Sequence, residues 1–504
     1  MLNLTNKVYR FLWSLIYILL MIVLGIVVFL SITQPQHNLF VWQMLIGTAL
    51  GTLVFIGAFF LWDHIPCKQS KKNAFLYVFL LILYGVLLYL VSCANRNAPW
   101  SLVDYGHVWN AASELSAGKP ISAENYFKTY ANNIKPMLYL SVLFKIAKLL
   151  HINDPFYFVL FFSVMEILGA VLSVNILAGN SKENQVKNRI PILFLFIFTL
   201  PIWANVQAFY TDGMTFITGI ITLALIKLCL ESSSRIKAVL LLTIAGIFAG
   251  IGASIKITIL IPILAGFIIF CFSNPIWREW RYILLFILCT IIVYGLTSLW
   301  AEKFTIWEAA KNTSEPIIDW VALGMKGNGS YGDNLDYINF VTTLSSKHEK
   351  IEYTLQYIWE NRSDFWNCPH LVQKIRYNFA SGSFGIKDFT YYALKEHNLI
   401  WELFSPWGKY YWRTSQLCFC YIFSIYTIYT LGAAVTLYNI FKKSELSPVK
   451  AIADLTILGN FIFLMIWEAN NRQLYNQLPV ILLGAIMNVH QIIELKTNMN
   501  NAHT

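Results

Sequence analysis

Followed for hydropathy alone, the chain alternates long apolar runs with short polar joins. A helix needs about 20 apolar residues to cross a bilayer core. Runs at 11–32, 41–62, 74–93, 155–178, 190–206, 213–230, 238–253, 256–272, 281–299, 413–440, 449–467 and 474–491 approach or exceed that length. The pattern predicts an all-α polytopic membrane protein with about twelve transmembrane helices. A further apolar stretch, 136–151, is short and carries Lys145 and Lys148. It is predicted to lie in the membrane interface as an amphipathic helix instead of crossing. Two polar regions interrupt the runs. The expected organisation is N-terminal transmembrane helices over 1–93, a first large loop with interfacial helices over 94–154, and a transmembrane core over 155–299. A second large loop over 300–412 and C-terminal helices with a short tail over 413–504 complete it.

Charge adds orientation. Lys7 and Arg10, Lys68/Lys71/Lys72, Lys182/Lys187/Arg189, Arg235/Lys237, Arg278/Arg281 and Lys442/Lys443 all fall on one side of the predicted spans. Excess Lys and Arg marks the cytoplasmic side. Both termini are therefore expected in the cytoplasm and both large loops outside it. The first run is too long for a removed signal peptide and lacks a small-residue cleavage site, so it is read as a retained anchor.

Composition narrows the class. Of 504 residues, 57% are hydrophobic and 13% charged, about half the charged share of a soluble domain. That excludes a soluble multidomain enzyme, a disordered chain and a nucleic-acid binder. The net charge of +10 is what cytoplasmic basic loops produce. Eight cysteines, most in apolar runs and without CxxC spacing, suggest neither a metal site nor a disulfide framework.

Few charges lie near the predicted outer ends of the spans, and they are the candidates for chemistry. Asp104 follows the third run, with Tyr105 and His107 beside it. A carboxylate at an apolar boundary can serve as a base, and Asp is also a favoured N-cap for the amphipathic stretch Val108, Ala111, Ala112, Leu115. Asp212 stands either as a cap before Gly213 or as a second acid. Lys256 and Arg472 each follow a predicted outward crossing, where a cation marks a partner or ligand. The alternatives are snorkelling for Lys256 and an i,i+4 pair with Glu468 for Arg472. Glu114 is a further loop acid. Asp333 and Asp336, near a Gly-rich stretch, are placed to reach over a site as a flap. The Trp-rich second loop offers aromatic faces for stacking or interface anchoring, with Trp407 and Trp412 expected at the interface. Charges in mid-span are few; Glu166 and Lys227 stand out.

Several pieces occur in a particular order: Asp104; a short helix ending Gly118-Lys119-Pro120; the turn Tyr130-Ala131-Asn132-Asn133 leading into an apolar helix; Phe209-Tyr210-Thr211-Asp212; and Ala253-Ser254-Ile255-Lys256-Ile257-Thr258. Gly324 to Tyr331 follows Pro316 and Trp320, and Trp467-Glu468-Ala469-Asn470-Asn471-Arg472 comes last. The ordered set spans most of 94–480 and resembles GT-C glycosyltransferases. Those are polytopic enzymes using polyprenyl-phosphate sugars, related to protein O-mannosyltransferases and oligosaccharyltransferase catalytic subunits. Ala131 stands where relatives often have Pro and Gln473 where they often have Tyr, and two extra spans precede the expected first helix. The resemblance implies a GT-C type fold in the cell membrane. It implies inverting sugar transfer from a polyprenyl-phosphate-linked donor lipid to an extracytoplasmic glycan or glycolipid acceptor. Asp104 would be the general base, with Lys256 and Arg472 on the donor phosphate. Asp212, His107, Glu468, Tyr130, Asn132 and Asn133 would touch substrate or metal, with a divalent cation (Mg or Mn) in metal-dependent members. A lipid-linked saccharide flippase or transporter would instead favour mid-span charges and repeated helix pairs. A polysaccharide polymerase would favour Arg/His-rich loops.

Overall fold

A computed structural model describes residues 7–33, 40–64, 71–96, 103–179, 182–273, 280–380, 382, 384–386, 398–442 and 446–501. Lys68, Arg278 and Lys443, used above for orientation, lie outside the described residues.

The architecture is helical. Three long apolar helices open the chain, α1 (Lys7–Thr33), α2 (Val41–His64) and α3 (Lys71–Ala94). The first polar region folds into α4 (Asp104–Ser116), α5 (Glu124–Thr129) and α6 (Ile134–Leu149). A core follows, of α7 (Pro155–Ala178), α8 (Lys182–Phe198), α9 (Leu200–Asn205), α10 (Thr218–Leu230), α11 (Arg235–Ile255), α12 (Leu260–Ser273) and α13 (Trp280–Ala301). The second polar region is also helical: α14 (Thr305–Thr313), α15 (Asp319–Leu323), α16 (Leu335–Thr343), α17 (Lys347–Glu360), α18 (Arg362–Phe365), α19 (Cys368–Phe379) and α20 (Leu399–Phe404). The chain closes with α21 (Tyr411–Phe441), α22 (Pro448–Ile466) and α23 (Leu478–Asn501).

Among the described residues nine helices are long and apolar enough to cross a membrane: α1, α2, α3, α7, α11, α13, α21, α22 and the segment Asn471–Leu495. The other three predicted crossings, 190–206, 213–230 and 256–272, are shorter and broken. The first splits at Thr199 because Pro201 opens α9 and has no N–H to continue the ladder. In the second, helix begins only at Thr218; Gly213 folds so tightly that a Cβ would stand 2.6 Å from the Ala208 carbonyl. In the third, Lys256 is extended and a 3-10 turn, Ile257–Ile259, precedes α12. Non-helical backbone at membrane depth persists only when buried in protein or facing a cavity. The second and third breaks adjoin the cavity described below.

Helix α6 occupies the predicted interfacial segment and packs on α4 and α7, burying Met137, Leu138, Leu140 and Phe144. Lysines close helix C-termini, where unpaired carbonyls carry partial negative charge. Lys227 donates to the carbonyls of Ile176 (2.8 Å), Leu177 (3.2 Å) and Gly179 (2.5 Å), ending α7. It sits in the last turn of α10, so it is a cap and not a mid-span charge. Lys350 donates to Thr313 O (2.7 Å) at the end of α14, and Lys374 to Gly324 O (2.6 Å) after α15. Within the bundle Lys450 Nζ lies 2.5 Å from Asp454 Oδ2 on α22. That oxygen also accepts from the Tyr17 hydroxyl of α1 at 2.9 Å, and Asn488 of α23 reaches Oδ1 at 3.4 Å.

Candidate active site

A cavity of about 1240 Å³ collects Asp104, His107, Tyr130, Asn132, Asn133, Lys256, Glu468 and Arg472 on its walls. These eight predicted residues come from four separate stretches of chain. Asp212, the ninth, lies beneath the wall.

The acid side is built by the first polar region. Asp104 is the first residue of α4; the cap position falls on Val103, which makes no side-chain cap bond. The N-cap reading is therefore replaced by another. Asp104 Oδ1 accepts from the Tyr126 hydroxyl at 2.8 Å. That hydroxyl accepts from Asn133 Nδ2 at 2.6 Å, and Asn133 Oδ1 accepts from the Tyr210 hydroxyl at 2.7 Å. His107 stacks on Tyr126 with centroids 4.3 Å apart. Burial lowers the His107 pKa, against the pull of Asp104. Burial, then Tyr210 and Asp104, hold the Tyr126 hydroxyl well above tyrosine's usual value, so it stays protonated and donating. Glu114 is occupied elsewhere, accepting from Ser122 N (2.8 Å) and Oγ (2.7 Å) and so pinning the loop after α4.

The basic side is built by the broken core helices. Asp212 is fully buried. Lys256 Nζ bonds to its Oδ1, and Arg472 Nε stands 3.3 Å from Oδ2. The Arg472 guanidinium also lies 5.3 Å from the Tyr210 ring centroid. The side chains of Lys256 and Arg472 keep 14% and 21% of their surface, against none for Asp212. One hidden anion thus holds two cations whose outer faces meet the cavity, with the Glu468 carboxylate on the same wall.

This geometry corrects several expectations. Asp212 does not cap a helix at Gly213, since α10 begins at Thr218. Glu468 and Arg472 do not share a helical face: α22 ends at Ile466, and Asn470 accepts from Arg472 N (3.1 Å) to start a 3-10 turn. A metal shared by Asp104 and Asp212 does not fit these donors, because the Asp212 oxygens are turned to Lys256 and Arg472. Among the described residues no three His, Cys, Asp or Glu gather as a metal cluster. Asp333 ties the Gly327 turn, accepting from Asn328 N at 2.9 Å, and Asp336 begins α16 on the surface. Neither reaches over the cavity as a flap.

The Gly-rich stretch does contribute to the site. Gly329 O accepts from Ala469 N at 2.7 Å, and a Cβ on Gly324 would sit 2.6 Å from Trp467 O. Close backbone approach explains the glycine. The strap carries Tyr331, whose hydroxyl is 3.2 Å from that of Tyr130 across the cavity mouth.

Sequence reasoning missed four wall residues. Lys135, on α6, donates to Ser298 Oγ (2.8 Å) and lies 4.0 Å from the Tyr294 ring centroid. Tyr126 and Tyr210 link the two sides. The Glu315 carboxyl is pushed up to about 7 by burial and then by Asp319, with Lys350 opposing. Lys135 and Glu315 stand beside motifs already singled out, the Asn132-Asn133 pair and Pro316, which was the available signal. An apolar arm of the cavity runs along Ile257, Leu260, Ile261 and Leu264. Ile257 and Leu264 are exposed on the bundle surface.

Residues 2–493 match a family described as conserved hypothetical integral membrane protein. The chain belongs to that family. No curated protein and no solved structure matches it. Membership fits the long apolar helices and makes this an integral membrane protein; the chemistry has to be argued from the cavity.

Proposed function

We propose that this protein is a GT-C type glycosyltransferase of the cell membrane. It moves a sugar from a polyprenyl-phosphate-linked donor to an extracytoplasmic glycan or glycolipid acceptor, with inversion. The observation that carries the reading is one cavity joining a carboxylate, two partly open cations and an apolar arm. Each matches one part of such a reaction. The arm takes the first isoprene units, since burying apolar surface yields about 25 cal/mol per Å². Lys256 and Arg472, with Lys135 on the same cavity, hold the donor phosphate. Arginine can grip two phosphate oxygens at once, while lysine acts as a point charge.

Asp104 takes the proton of an acceptor hydroxyl. The hydroxyl oxygen attacks the anomeric carbon from the face opposite the phosphate. The bond from that carbon to the phosphate oxygen breaks, and its electron pair leaves on polyprenyl phosphate, stabilised where Lys256 and Arg472 are already aimed. Fixed charges that need no reorganisation are usually the largest single contribution to such a step. Trp307 and Trp320 on the cavity wall offer faces for sugar rings. The distribution of basic clusters along the chain supports cytoplasmic termini and a cavity outside. Asp104→Asn should abolish transfer while leaving membrane insertion intact; transfer at the wild-type level in that variant defeats the base assignment. A flippase would keep moving lipid-linked saccharide with Asn at 104, which separates the two readings.

A further inference from the structure

Asn133 was expected to touch substrate or metal, yet it is 2% exposed and its side-chain amide is engaged at both ends. The bond directions follow from chemistry. An ionised carboxylate only accepts, so the single hydroxyl hydrogen of Tyr126 goes to Asp104 Oδ1 at 2.8 Å. The Tyr126 oxygen must then accept, and its partner at 2.6 Å has to be the NH2 end of Asn133. That turns the amide oxygen to Tyr210, which donates at 2.7 Å. Three bonds run in one sense, Tyr210 to Asn133 to Tyr126 to Asp104. Tyr210 also lies under the Arg472 guanidinium, so the line reaches from the carboxylate to the cation pair. The linked segments are 77 residues apart in sequence.

We propose that Asn133 is a positioning residue. Through Tyr126 it decides which Asp104 oxygen is occupied and leaves the other for the acceptor hydroxyl. Through Tyr210 it holds the carboxylate at a set distance from Lys256 and Arg472. The inference rests on the role given to Asp104 above. Aspartate at 133 is nearly isosteric but cannot donate, so Tyr126 would turn its hydrogen to the new carboxylate and abandon Asp104. Asn133→Asp should therefore include the loss made by Tyr126→Phe, although the two change different atoms.

The test compares wild type, Tyr126→Phe, Asn133→Asp, the double variant and Tyr210→Phe as purified protein. Carbodiimide coupling at Asp104 is followed by peptide mass spectrometry from pH 4 to 8, and sugar transfer is followed in membranes across the same range. Loss of a donor to a carboxylate disfavours its charged form. The pH at which coupling fades should thus move upward in both single variants, and further in Asn133→Asp because it also adds a negative charge. The double variant should match Asn133→Asp. Transfer should fall roughly 10- to 100-fold, its acid limb moving the same way. Tyr210→Phe should give a smaller change of the same sign. Coupling that fades at the wild-type pH in Asn133→Asp, or additive shifts in the double variant, overturns the proposal. If wild-type membranes transfer no sugar, the enzyme reading fails while the coupling profile still decides the role of Asn133. Tyr210→Phe removes one hydroxyl at the far side of Asn133, so where Asn133→Asp does not fold, an upward shift in Tyr210→Phe still supports the proposal and its absence overturns it.

Discussion

Two buried carboxylates in this molecule hold cations, and their surroundings differ. Asp454 and Lys450 keep 2% of their surface each, and Tyr17 and Asn488 complete the cluster. One anion meets one cation, and the pair joins α1, α22 and α23. Asp212 is as deeply buried, but it holds two cations that remain partly open to the cavity. The first cluster is sealed; the second presents two partly open cations to free volume. A closed pair specifies packing, whereas open cations can meet an anion that arrives later. Intramembrane charge alone therefore does not mark the site; its access to the cavity does.

That contrast can be broken in several ways. The largest effect belongs to the sealed pair. Asp454→Asn strands Lys450 and should cost about 3–5 kcal/mol, read as lowered thermal stability in detergent. Asp212→Asn should cost less, because Lys256 and Arg472 reach water in the cavity. Replacing both partners separates the clusters further. Lys450→Met with Asp454→Leu should restore stability to near wild type. Asp212→Leu with Lys256→Met should fold but lose transfer. Restored transfer in that second pair would contradict the assigned role of the open cluster.

Next in size is ligand affinity. Lys256→Ala should weaken binding of polyprenyl phosphate by about 1.5–3 kcal/mol, the range for hydrogen bonds to charged groups. Arg472→Lys keeps the charge but loses the fork, so its effect should be smaller. Titration of the purified protein with polyprenyl phosphate measures both. Equal affinity in Lys256→Ala would remove that lysine from the phosphate site.

The smallest effect concerns pH. The Glu315 carboxyl is raised from 4.5 to about 7, so between these values the folded state binds more protons than the unfolded one. Its contribution to stability is present below about 4.5 and lost as pH rises through about 7. Lys374 is lowered from 10.5 to about 7, chiefly by burial, and works oppositely: its contribution is present above 10.5 and lost as pH falls through about 7. Glu315→Gln should therefore flatten the decline in melting temperature between about pH 5 and 7. An unchanged slope would remove Glu315 as the cause.

Much of the fold was legible because apolar runs of membrane length have few alternative uses. The order of motifs also brought eight of nine candidates to one cavity. What could not be read depended on partners far along the chain. Lys256 leaves the helical path beside an acid 44 residues away, and Tyr331 meets Tyr130 across 201 residues. Asp212 looked like a ligand because sequence shows an acid without showing that two cations already hold it. The Lys450–Asp454 pair was readable in principle, as opposite charges four apart in an apolar run. It was passed over because it lies far from the motifs. Asn133 was legible by its motif, but the direction of its hydrogen bonds exists only in three dimensions.

The central claim is that Asp104 drives sugar transfer from a lipid phosphate. The most direct measurement is mass spectrometry of envelope glycans and glycolipids in cells lacking this gene, and in cells carrying wild type or Asp104→Asn. The account predicts that one sugar substituent disappears in the deletion, returns with wild type, and stays absent with the inserted but inactive Asp104→Asn protein. Unchanged glycans in the deletion, or full restoration by Asp104→Asn, would contradict it.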